Sequence, residues 1–166
     1  MKETKYASLV AAAKERDRRY KEYENESRGF VTRLRAKLAD VLGCSVQQVE
    51  WVRFTKEEST EQRRAKGVVE LTMDRRMALC GDAFYRFVLR LTFASDCVSL
   101  GLSVKTTEEH HIVKLAKEKR TIQKGQAEAL DQLALDLFQA VESYFEQDFE
   151  KFIQGQPSTL GFRTTG

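Results

Sequence analysis

Proline occurs once in 166 residues and glycine nine times, which is too sparse for a linker or a collagen-like chain. No stretch approaches the roughly 18 apolar residues of a membrane span, so no membrane association is expected. The opening Lys2, Glu3 and Lys5 leave no apolar signal-peptide core, which predicts a cytoplasmic chain. Cysteine is scarce and odd in number: three in all, predicting thiols rather than a disulfide framework. Cys44, Cys80 and Cys97 fall in unrelated segments without a Cys-x-x-Cys spacing, which excludes the common zinc patterns. The only two histidines, His110 and His111, are adjacent, so on a strand they point to opposite faces and cannot ligate one ion together.

Catalytic signatures are missing as well. There is no Gly-x-Ser-x-Gly elbow, no Ser-x-x-Lys at a helix start and no Gly-rich phosphate loop. Gly81 and Gly101 stand alone beside or within strands, where glycine marks a turn, a bulge or a close backbone approach. The carboxylates Glu57, Glu58, Glu108 and Glu109 read as solvated loop residues. The expectation is a protein that is not an enzyme and has no metal or cofactor.

What the chain does have is apolar content, 42% of its residues, enough for a core and too much for a disordered chain. Its length suits one domain, burying roughly two-thirds of the unfolded surface. Residues 1–155 read as that domain, with 1–28 as a candidate projecting helix and 156–166 as a C-terminal tail. Tyr6, Val10, Ala13, Tyr20, Val31, Leu34, Leu38 and Val41 follow three- and four-residue steps, a helical seam. Asp17, Glu24 and Ser27 interrupt it, and Gly29 beyond them predicts a bend or break. Leu9–Tyr23 is then a projecting amphipathic stretch, and Phe30–Leu42 docks on the core with Gly43 as its C-cap.

From Val49 to Ala116 the period becomes two, the signature of strands. Trp51, Val52 and Phe54 mark the first strand, and Glu57 to Lys66 a charged loop. Val69 to Leu79 and Tyr85 to Phe93 are expected to pair as one long hairpin about Gly81-Asp82. Val98, Leu100, Leu102 and Val104 form the inward face of the next strand, and His111, Val113 and Leu115 that of a short one. A basic segment runs from Lys114 to Lys124. After it, Leu130, Leu133, Leu137, Val141, Tyr144, Phe145, Phe149 and Phe152 trace a long helix to Ile153, stopped by Gly155 and Pro157. Leu160 and Phe162 give the tail apolar residues with which to dock. The fold class is therefore α+β: a two-layer antiparallel β-meander of four to five strands, flanked by a long N-terminal and a long C-terminal helix.

Charge is unevenly placed. Gln126–Ile153 holds seven carboxylates and one lysine, a net of −6, so with +3 overall the remainder carries +9. A helix over the first forty residues reaches roughly 60 Å, beyond the width of a five-strand sheet. That excess length predicts a non-catalytic protein-interaction module, self-associating through Tyr6, Val10, Tyr20 and Tyr23 as a homo-oligomer or joining another protein partner. Another reading is nucleic-acid binding, to RNA or single-stranded DNA, through Arg63, Arg64, Arg86, Arg90, Lys117, Lys119 and Arg120. Against it stands the lack of exposed stacking aromatics, Phe84 at a strand end being the one candidate. A third reading is a small-molecule pocket between the sheet and the helices.

Overall fold

The structure is a computed structural model that describes residues 4–52, 78–79, 82–93, 96–115, 117–154 and 162–164. The first helix, α1, spans Lys5–Leu42. The Thr4 hydroxyl caps it by accepting from Ala7 N at 3.2 Å, satisfying one of the donors a helix start leaves unpaired, worth about 1 kcal/mol. At the other end Gly43 adopts φ 64°. Its N–H donates to Asp40 O at 3.1 Å and Cys44 N donates to Ala39 O at 3.0 Å, the paired bonds of a Schellman stop. The expected break at Gly29 does not occur. A lone glycine costs a helix only about 1 kcal/mol, and the buried Phe30, Val31, Leu34, Leu38 and Ala39 directly after it hold that turn in place.

A 3₁₀ turn at Val46–Gln48 reverses the chain, closed by reciprocal bonds between Ser45 and Gln48. Arg35 of α1 donates to the carbonyls of Val46 and Val49, tying this turn to the helix. The strands follow: β1 Val49–Val52, β2 Ala78–Leu79, β3 Tyr85–Phe93, β4 Asp96–Thr106, β5 His110–Leu115 and β6 Glu118–Gln123. Helix α2, Ala127–Ile153, and β7, Phe162–Thr164, complete the described chain. This is the α+β architecture expected, an antiparallel sheet in the order β1-β3-β4-β5-β6 under a helical layer.

Two features depart from the expected meander. β1 pairs with β3 from Val49↔Leu91 to Val52↔Val88 and so occupies the edge assigned to a long hairpin arm. Among the described residues of that arm, Ala78 and Leu79 pair there, opposite Arg86 and Tyr85. The rest of the expected arm, with Phe54 and the Glu57–Lys66 loop, lies outside the described residues. Secondly, the basic segment after Leu115 is itself a strand, β6, paired from Leu115↔Glu118 to His110↔Gln123. It keeps Ile122 as its one buried residue. Part of the tail also docks: β7 pairs with Val98–Leu100 beside β5 on the same edge of β4.

One sheet face is apolar and covered. Tyr85, Phe87, Leu89 and Leu91 of β3 and Val98, Leu100, Leu102 and Val104 of β4 are buried. They share a core with Phe30, Leu34 and Leu38 of α1 and with Leu130, Leu133, Leu137, Val141 and Tyr144 of α2. The helices lie against each other on that face, joined at their rim by Lys37 and Asp131 at 2.8 Å. Among the described residues no helix is long and apolar enough to cross a membrane.

Candidate functional site

Nothing in α1 before Ser27 is buried. At 1.5 Å per residue the first eighteen residues, 5–22, make an arm of roughly 27 Å. Tyr6 is 76% exposed, Leu9 70% and Tyr20 48%, with Val10 beside them on the seam. Internal ion pairs support this arm in water: Arg18 with both Glu15 and Glu22, and Arg19 with Glu15. Hydrogen bonds from Arg18 and Arg19 hold the Glu15 carboxyl down to about 2. The arm's six cations and three carboxylates leave it at +3.

Tyr23 differs from the other three residues of the predicted association stripe. Its hydroxyl donates to Ala83 O and accepts from Thr106 N at 3.2 Å, and its ring lies 5.4 Å from Tyr85. It is the bolt at the base of the arm, engaged with the domain itself. Ala83, held by this contact, has φ 66°, an unfavourable conformation for a residue with a Cβ. Asp82 Oδ1 supports the same turn by accepting from Phe84 N at 3.3 Å.

The other sheet face carries five cations among the described residues, with Glu50 opposite Arg90 and Asp82 paired with Lys114 at 3.3 Å. Alternation places Arg86 and Arg90 of β3, Lys105 of β4, Lys114 of β5 and Lys119 of β6 on it, since each is out of phase with the buried residues of its strand or pairs across to one that is. Ser99, Gly101 and Ser103 form the small-residue strip between them. Arg90 Nε is buried without a hydrogen-bond partner among the described residues. Phe84, 7% exposed, is no open stacking platform: the Lys114 ammonium sits 3.6 Å from its ring centroid and that of Lys105 5.9 Å. Lys117 is exposed in the β5–β6 turn. Arg120 faces the other way, paired with Asp136 of α2, so it does not join the basic face. Arg63 and Arg64 lie outside the described residues.

A cavity of about 560 Å³ opens between α1, the β5–β6 pair and the start of α2. Phe30, His111, Ile122 and Leu130 line it, with Arg33, Lys37 and Lys124 among its polar residues. His111 is 4% exposed, and its Nδ1 lies 3.0 Å from Thr106 Oγ1, which is 3.0 Å from Ser27 Oγ. Its ring stacks on Phe30 at 4.6 Å. Burial, helped by the nearby charges of Lys124 and Arg33, drives its pKa down to about 4. Lys124 is anchored twice, by its ammonium to Glu26 at 2.7 Å and by its backbone N–H to Glu109 O at 2.8 Å. Sequence reasoning placed His111 on the inner face but had no signal for this cavity, because three distant segments build it.

Among the described residues no group of three or more His, Cys, Asp or Glu side chains is placed to hold a metal ion. Cys44 and Cys97 are part-buried thiols in separate elements, and Cys80 is outside the described residues. Comparison with protein-family models, curated proteins and solved structures returns no match.

Proposed function

We propose that this chain is a non-catalytic protein-interaction module that self-associates through the arm of α1. The observation that carries this reading is the apolar seam of Tyr6, Leu9, Val10 and Tyr20, exposed on a helix with no residue buried before Ser27. Apolar area in water costs about 25 cal/mol per Å², and a second copy recovers it. Charge favours that occupant. The arm is net +3 and residues 126–153, nearly all of them α2, are net −6, so an arm laid along the α2 of a neighbour is attracted and oriented. Asp17 interrupts the seam, so the association is modest and salt-sensitive.

The test is light scattering on the wild type and on Val10→Asp. The variant should be shifted toward monomer with an unchanged melting temperature. If Val10→Asp associates as the wild type does, the arm is not the interface.

The basic sheet face supports a second reading, binding of RNA or single-stranded DNA. Five cations among the described residues share that face around a strip of small residues, and cations so placed suit contact with phosphate oxygens. Reversing Arg86 and Lys119 to Glu should then abolish retention of a single-stranded oligonucleotide at low salt, Lys114 being paired with Asp82. Absence of wild-type binding under those conditions would remove this reading. Lys117 and Arg120 are the wrong pair to reverse, since Arg120 is engaged with Asp136.

A further inference from the structure

The cavity beside His111 serves neither the arm nor the basic face, and its composition is that of a ligand site. Its volume of about 560 Å³ falls within the roughly 300–1,000 Å³ of small-molecule sites. Such sites combine apolar walls with a few convergent polar groups, and this one does the same. Phe30, Ile122 and Leu130 supply the apolar surface. Gly29 leaves the α1 wall open there: a Cβ at that position would meet only Arg33 Nη1, at 3.4 Å.

The charged groups of the lining are three cations, Arg33, Lys37 and Lys124, and two carboxylates, Glu26 and Asp40. Lys37 is engaged by Asp131 and Lys124 by Glu26, whereas Arg33 makes no ion pair among the described residues. Arg33 lines the cavity with a guanidinium suited to bidentate recognition of a carboxylate or phosphate. Across from it, Thr106 holds His111 by Nδ1, so the ring nitrogen left to a ligand is Nε2. Burial is the main cause of the lowered His111 pKa, and Lys124 and Arg33 act in the same direction against Glu26, so both cations are close enough to act on the ring. The chain reversal at Gly125 and Gln126 brings the first turn of α2 to the same rim, and its backbone N–H groups favour an anion there.

We infer that this cavity binds a small amphipathic organic anion, its carboxylate or phosphate head against Arg33 and its apolar body over Phe30, Ile122 and Leu130. His111 closes the floor as a neutral hydrogen-bonding group, and Gly29 leaves the space the body fills.

Titration of the whole protein with benzoate, followed by NMR of the two imidazoles, tests this. His110 lies on the opposite sheet face and is the internal control. Benzoate should move the His111 signals and the amides of Gly125–Glu128 saturably while leaving His110 in place. Benzamidine, the same ring with the opposite charge, should move neither. Inorganic phosphate alone should bind more weakly than benzoate, because it lacks the apolar body. Arg33→Ala, a change at an exposed position, should weaken benzoate about tenfold, the loss of a charge-assisted hydrogen bond. An unmoved His111, an equal response to benzamidine or phosphate, or undiminished affinity in Arg33→Ala would each overturn the assignment.

Discussion

Acidifying the protein from pH 7 to pH 4 should remove about 3 kcal/mol of its stability through His111 alone. The magnitude comes from the folded-state pKa of about 4 against the ordinary 6.5, at about 1.36 kcal/mol per unit. The folded state excludes the proton because the imidazole is buried, stacked on Phe30, and faced by Lys124 and Arg33, with Glu26 opposing them weakly. Between pH 6.5 and 4 the unfolded chain binds that proton and the native protein does not. The contribution is therefore fully present above pH 6.5, declines as pH falls and is exhausted near pH 4. Denaturant unfolding at a series of pH values measures it, with His111→Phe as the variant that removes the titrating group. That variant loses the Thr106 bond and so is offset at every pH, but its stability should be flatter across the window. A His111 imidazole titrating near 6.5 by NMR, or an equal slope in His111→Phe, would refute the reasoning.

Other perturbations have definite expectations. Ala83→Gly should stabilise the domain by about 0.5–1 kcal/mol, because it relieves a positive φ at a modest entropic cost, as read by the denaturation midpoint. Gly43→Ala should destabilise by about 1 kcal/mol through its φ of 64° alone, since nothing lies within 4 Å of an added Cβ. Leu34→Ala, in the centre of the core, should cost about 3 kcal/mol. Leu9→Ala on the arm should leave the monomer's melting temperature unchanged.

The strands that alternate were readable because one face of the sheet is buried and the other is not. Tyr85 to Leu91 and Val98 to Val104 keep strict phase, and the structure buries every odd or even member as that phase requires. β6 was not readable: it is an edge strand whose charges discourage further pairing, and Ile122 alone marks its inner face. The expected hairpin partner of β3 does pair at its base, Ala78 and Leu79 opposite Arg86 and Tyr85, but alternation does not say which strand takes the edge beyond, and β1 takes it from Val88 to Leu91. At Gly29 propensity offered a bend or a break, and the break does not occur because core burial starting at the next residue, Phe30, overrides it. At the candidate sites, helical spacing put Tyr6, Val10 and Tyr20 on one seam, and all three are exposed. It gave no hint that Tyr23 reaches Ala83 and Thr106, contacts sixty and eighty-three residues away in sequence. The cavity depends on the same kind of long-range meeting, with Arg33, His111 and Lys124 each from a different element.

Sedimentation equilibrium of the wild type, from low to high micromolar concentration and at two salt concentrations, tests the central claim most directly. Self-association through a basic arm and an acidic helix predicts a weight-average mass that rises from monomer toward dimer with concentration and falls back when salt screens the charges. A mass that stays at the monomer value across the whole range would contradict it.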